Sequence, residues 1–180
     1  MSGTFVDRLC KSDGALHSGN IRYVLVRADG LMGCFKSGLN ATSLAMYEEI
    51  EDSFFHFGGK STQLYAETLG RNPKDLLLKI EEIAPQLGWG SWSLSLKSSE
   101  QKIDLSVENS PFSDGYGQAD FAVCAPISGM LKGVAESVFR QSVVCREIRC
   151  SAMGGDICEF EAIIDSGSDD AATRVQDANL

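Results

Sequence analysis

Apolar residues recur at helical spacing through the first half of the chain and alternate with polar ones in much of the second. Ile21 to Arg27 is a Val-rich run containing Tyr23, which predicts a strand or an extended lead-in. Asp29 can cap a short helix with Leu31, Phe35 and Leu39 on one side. Residues 41–57 read as a helix carrying Leu44, Tyr47, Ile50, Phe54 and Phe57, closed by Gly58-Gly59. Ser61 to Leu69 predicts a separate helix stopped by Gly70. Asn72-Pro73 is a helix start, with proline at the first helical position. Leu76, Leu77, Ile80, Ile83 and Leu87 form its stripe, and Pro85 should end or bend it.

The period changes near Trp89. Trp92, Leu94 and Leu96 alternate with serines, and Ile103, Leu105 and Val107 alternate after a polar turn at 97–102. That is a hairpin with one buried face. Residues 109–117, with Pro111, Gly115 and Gly117, read as a loop. Ile127, Met130, Leu131, Val134, Ala135 and Val138 mark an amphipathic helix over 126–140. Gly129, Gly133 and Ser137 make a small-residue stripe on it, suited to close approach of a sheet or a partner helix. Residues 143–150 and 157–164 predict a second hairpin around Gly154-Gly155. The expected fold class is α+β: an antiparallel sheet of two hairpins with helices packed on it, and a helical N-terminal half. Residues 1–19 are expected to be an N-terminal extension, 20–164 the domain, and 165–180 a disordered polar tail.

Composition narrows the function. The net charge of −9 argues against a nucleic-acid-binding face. Hydrophobic residues at 43% support a sizeable core, and no apolar run approaches the roughly 20 residues that span a bilayer. The first residues lack the basic-then-apolar layout of a signal peptide, so a cytoplasmic protein with reduced thiols is expected. Gly115-Tyr-Gly117 lacks the rest of a dinucleotide fingerprint, and there is no Walker-type phosphate loop.

Six cysteines are present, four of them between residues 124 and 158. Cys150 and Cys158 flank Gly154 symmetrically, so a hairpin centred there sets them opposite one another. Cys124 lies just before the 126–140 helix, whose positive end should favour its thiolate. Glu147 is three residues before Cys150, and a regular strand would send the two to opposite faces. A site shared by all four therefore requires a bulge or strong twist near Arg149. A Cys3Glu set suits tetrahedral zinc by softness and charge. Its formal charge of about −2 calls for cationic neighbours, for which Lys132, Arg146 and Arg149 are candidates. The alternative is that these cysteines pack as small core hydrophobes. Cys145 could lie near the metal, and Cys10 and Cys34 look structural.

The stretch from Cys124 to Phe160 resembles the 4-vinyl-reductase domain family. The family pattern is matched by Cys124, Gly129, Gly133, Glu147, Cys150, Gly154, Cys158 and Phe160. Arg22 to Met32, Gly58-Gly59 and Asn109-Ser-Pro-Phe112 extend the resemblance to about residues 20–164. It implies that Cys124, Glu147, Cys150 and Cys158 bind zinc, as those positions do in phenol-sensing transcriptional activators carrying the domain. It also implies a fold related to TRAPP-type trafficking subunits and haem nitric-oxide sensor domains, and a homodimer with a pocket between helices and sheet. No ATPase or DNA-binding segment follows residue 164, so a complete transcription factor is not expected.

The implied ligands are hydrophobic or aromatic, such as a tetrapyrrole or chlorophyll precursor of photosynthesis. Trp89, Trp92 and Phe121 are candidate pocket walls, with core packing the alternative. His56, within Phe54-Phe55-His56-Phe57, could donate to a ligand oxygen as a pocket histidine does in the phenol sensors. The alternative is an ordinary exposed histidine. Two functions of different class follow. One is a binding module with structural zinc, acting as sensor, carrier or assembly factor. The other is a vinyl reductase acting on a chlorophyll precursor, which needs a source of electrons. The first is favoured, because no dinucleotide fingerprint is visible and the clustered cysteines have a zinc role. A non-catalytic protein-interaction subunit is a third reading.

Overall fold

A computed structural model describes residues 5–36, 41–68 and 72–165. The expected Leu39 contact, the Leu44 side chain, the helix stop at Gly70 and the tail from 166 onward lie outside the described residues. The fold is α+β. A small antiparallel meander comes first, β1 (Cys10–Ser12), β2 (Ala15–Ser18) and β3 (Ile21–Tyr23). Its first two strands fall where only an extension was expected, because they are three and four residues long with no alternating buried face. A short helix α1 (Ala28–Met32) follows, and its last turn runs into a tighter helical turn that buries Phe35.

Helix α2 (Ala41–Thr68) is one continuous helix of 28 residues, not two. Gly58 and Gly59 do not stop it. They sit where α2 crosses α5 (Ala125–Phe139), with Gly58 making room for the Met130 side chain and Gly59 facing Gly133. Glycine here serves close approach rather than termination. Helix α3 (Pro73–Gln86) starts as expected, with the Asn72 side chain accepting from the Lys74 N–H. Leu76, Leu77, Ile80 and Ile83 are buried, while Leu87 lies beyond the helix end and is exposed.

The main sheet contains β4 (Ser91–Lys97), β5 (Lys102–Glu108), β6 (Val143–Arg149) and β7 (Cys158–Ile164) in the order β4-β5-β7-β6, all antiparallel. The two expected hairpins are thus joined by β5 pairing with β7, which aligns Leu105 with Phe160 and Val107 with Cys158. One face presents Ile103, Leu105, Val107, Cys158, Phe160 and Ala162 to α5, whose Ile127, Leu131 and Val134 are fully buried. Alternation with period two accounts for that face.

Residues 109–117 are not simply a loop. They contain α4 (Pro111–Tyr116), which starts on Pro111 and ends at Gly117, where φ is +83°. Gly115 is needed for a different reason: a Cβ there would lie 2.6 Å from the backbone of Ala28, so α4 and α1 touch backbone to backbone. No helix among the described residues is long and apolar enough to cross a membrane.

Candidate metal centre

Cys124, Glu147, Cys150 and Cys158 converge. One ligand atom from each lies within 4.8 Å of all the others, and all three cysteines are buried. Cys124 stands at the N-terminal cap position of α5, Glu147 faces inward on β6, and Cys158 opens β7. The bulge that a shared site required is present. Glu147 pairs with Phe160 but Arg149 with Glu159, so Ile148 is an extra residue, 58% exposed. That one residue returns Cys150 to the inner face.

The Cys124 and Cys158 sulfurs are 3.7 Å apart. Tetrahedral zinc with bonds of about 2.3 Å sets sulfurs about 3.8 Å apart, so the spacing suits it. Glu147 accepts from the Cys124 N–H at 2.9 Å through Oε2, while its buried Oε1 has no hydrogen-bond partner. An orphaned carboxylate oxygen beside three thiols fits a fourth metal ligand. The residues present can therefore hold a metal ion.

The protons are distributed unevenly. Hydrogen bonding to Cys150 and Cys158, reinforced by burial, holds the Cys124 thiol far above the usual thiol range. Hydrogen bonding and desolvation thus work against the thiolate that the helix end was expected to favour. Donation from Cys124 and Cys150 pulls Cys158 well below the usual thiol range, and the Ser151 N–H and hydroxyl add to this against burial. The bond with Cys124 lowers Cys150, but donation to Cys158, burial and the Glu147 charge outweigh it and push Cys150 up to about 12. Burial raises Glu147 to about 7, against hydrogen bonds from Cys150 and the Cys124 N–H.

The expected cationic neighbours do not all turn to the site. Arg149 pairs with Glu159 at 3.3 Å, and Lys132 lies 4.6 Å above the Phe55 ring. Arg146 is on the exposed face of β6. Neutral donors surround the sulfurs instead. Ser110 Oγ is 3.3 Å from Cys124 Sγ, and Ser151 Oγ is 3.2 Å from Cys158 Sγ. These serines were not anticipated, although Ser110 lies in the Asn109 to Phe112 stretch that carried part of the resemblance. Cys145 is buried two residues before Glu147, its thiol raised by burial, and is not one of the four converging groups. Cys10 and Cys34, expected to be structural, are exposed.

The proposed pocket residues fall in separate places. Trp89 meets Phe54, Trp92 and Phe112, and the indole of buried Trp92 donates to the Trp89 carbonyl at 3.0 Å. Phe121 belongs to a second group with Tyr47 and Tyr116, to which Phe35 adds through Tyr47. Phe112 and Tyr116 both come from α4, so that helix touches both groups. His56 is exposed and its ring meets Phe57 edge-on. Tyr47 was expected only as a stripe residue. It is 9% exposed, its hydroxyl lacks a hydrogen-bond partner, and burial, followed by the charges of Tyr116 and the cysteine cluster, raises its ionisation range.

The family model of the 4-vinyl-reductase domain matches residues 103–164, from β5 through β7, and includes all four converging residues. That segment is similar to the 4-vinyl-reductase domain family. The fold of the chain is shared with the phenol-responsive sensory domain of the transcription activator PoxR, solved with phenol. That match has a TM-score of 0.71 at 18% identity and covers 87% of this chain and 84% of that one. The fold is also shared with a trafficking protein particle complex subunit 3 from Naegleria fowleri, solved covalently bound to palmitic acid. There the TM-score is 0.54 at 14% identity, covering 77% and 95%. No curated protein matches the chain.

Proposed function

We propose that this protein is a small-molecule-binding module of the 4-vinyl-reductase domain family in which zinc has a structural role. The observation that carries the reading is the convergence of Cys124, Glu147, Cys150 and Cys158 onto one point from well-separated parts of the chain. Four protein ligands leave zinc no open position, so the ion would cross-link α5 to β6 and β7 rather than activate water. Metal-binding free energy then becomes folding free energy. The proposed ligand is hydrophobic or aromatic, a phenol or a tetrapyrrole precursor. Two observations support that class. The aromatic groups around Trp89 and Phe121 flank α4, and the buried Tyr47 hydroxyl offers a polar partner. PoxR was solved with phenol, and the trafficking subunit with palmitic acid. The role is that of a sensor, carrier or assembly factor in the cytoplasm. A second copy of the chain is the proposed protein partner.

Metal analysis of purified protein tests the zinc, with about one ion per chain expected for a closed site. Cys150→Ala should lose the ion and lower the melting temperature together. An unchanged melting temperature after complete zinc loss defeats the structural role. Titration of Trp89 and Trp92 fluorescence with phenol and with a protoporphyrin tests the ligand class, and no saturable change with either overturns it.

A further inference from the structure

Binding a metal turns all three thiols into thiolates beside a carboxylate, and two of the cations expected to balance this buried charge, Arg149 and Lys132, are engaged elsewhere. Something else must meet it. Three serines from two elements do. Ser110 and Ser113 lie at and within α4 and are 2% and 5% exposed; Ser151 begins the tight helical turn after Cys150. Ser110 Oγ is 3.3 Å from Cys124 Sγ. Ser151 approaches Cys158 Sγ twice, by Oγ at 3.2 Å and by its N–H at 3.3 Å. Ser113 Oγ lies between them. It donates to the Ser110 carbonyl at 3.1 Å, accepts from Ser151 Oγ at 2.7 Å, and is 3.8 Å from Cys158 Sγ.

We propose that Ser110 and Ser151 are the donors that stabilise the metal-bound thiolates of Cys124 and Cys158, with Ser113 bracing Ser151, and that this shell sets the metal affinity. The inference rests on the metal reading above. Its logic is proton counting. A thiol can donate to a serine oxygen, but a thiolate has no proton, so the hydroxyl must turn to donate. Each hydroxyl has one hydrogen. Ser110 can direct its own to Cys124, while Ser151, which donates to Ser113 Oγ, must turn its hydrogen from there to Cys158. Ser113 then turns its own hydrogen from the Ser110 carbonyl, which still accepts from the Asp114 N–H, to Ser151 Oγ, so the 2.7 Å contact keeps a proton and Ser151 stays aimed at the sulfur. Hydrogen bonds to an ionised acceptor are roughly twice as strong as neutral ones. Outer-shell partners of this kind typically change metal affinity about 10–100-fold when removed.

Cobalt(II) is the probe, because its sulfur-to-metal charge-transfer bands report thiolate electron density. Ser110→Ala and Ser151→Ala should each move those bands to longer wavelength and weaken cobalt affinity about 10-fold or more. Ser151→Thr, which keeps the hydroxyl, should restore both. Ser137→Ala removes a hydroxyl that bonds the Gly133 carbonyl, away from the sulfurs, and should change neither. Far-ultraviolet circular dichroism on the same samples separates a lost donor from a lost fold, and two independent serine variants cover the case where one does not fold. Wild-type protein that binds cobalt, with folded Ser110→Ala and Ser151→Ala variants matching it in band position and affinity, overturns the shell alone. Wild-type protein that takes up no cobalt overturns the metal reading and the shell together.

Discussion

Glu147 is held between two demands. Burial raises its proton affinity to about 7, while the Cys124 N–H and Cys150 favour the charged form. Around it burial and mutual hydrogen bonding push Cys124 and Cys150 up, and donation from both pulls Cys158 down. Metal binding must remove whatever protons remain on the four ligands. Below about pH 7 those include the proton of Glu147; above it Glu147 has already lost its own. Affinity therefore rises with pH. We expect about one more proton released per metal near pH 6 than near pH 8. Calorimetry in buffers of different ionisation heat measures that count. A constant release across the range contradicts a Glu147 that titrates near neutrality.

The α2–α5 crossing is the element that two sequence signals described without locating. Gly58-Gly59 read as a helix end, and Gly129-Gly133-Ser137 as a surface for a sheet or a partner helix. They face each other within one chain: a Cβ on Gly129 would run into the Glu51 carbonyl and the Phe55 amide, and one on Gly133 would lie 3.1 Å from Gly59 Cα. The stripe is thus taken up inside the fold, and a second copy would have to use another surface. Gly129→Ala should destabilise by about 1–3 kcal/mol through overpacking against rigid backbone. Gly30→Ala on α1 meets only ordinary contact, at 3.9 Å, and should be neutral or stabilising by up to about 1 kcal/mol. Denaturant midpoints of the two variants give the comparison; equal midpoints would mean that the crossing tolerates a methyl. Helix α4 is the second such element. It was hidden in Pro111, Gly115 and Gly117, which signal a loop in general. Here they supply a helix start, a backbone contact with Ala28 and a left-handed exit.

At the scale of the whole molecule, the candidate metal centre brings together segments more than 30 residues apart in the chain, Cys124 and Cys158 being the outermost. An ion binding only the folded state stabilises by mass action, by about 2.7 kcal/mol at free metal 100-fold above its dissociation constant. Chelation should therefore lower the melting temperature, and the melting temperature of the reloaded protein should climb with free zinc. Scanning calorimetry over a series of zinc concentrations tests this, and a melting temperature indifferent to zinc and chelator would leave the centre without a structural role. The same sheet that carries Cys158 carries the core residues Leu105 and Phe160, so loss of the ion should loosen the main sheet rather than the N-terminal meander.

The sequence by itself determined the α+β class, the two alternating hairpins, the starts of α3 and α5, and the identity of the four converging residues. Those features are local, written in periods of 2 and 3.6, in caps and in spacing about a turn. It also determined that a bulge had to exist if the four were to meet, because Cys150 is the third residue after Glu147 and a regular strand would send the two to opposite faces. Tertiary structure alone decided the rest. It joined the hairpins through β5 and β7, since nothing local says which edge pairs with which. It made α2 continuous, because a glycine pair ends a helix in water but admits a crossing helix in a packed interior. It set donors from Ser151 against Cys158 and thiols against Cys124, influences on the cysteines that no helix end in the sequence announces. And it ringed the sulfurs with Ser110, Ser113 and Ser151, whose hydroxyls carry no signal of their own until folding sets them within reach.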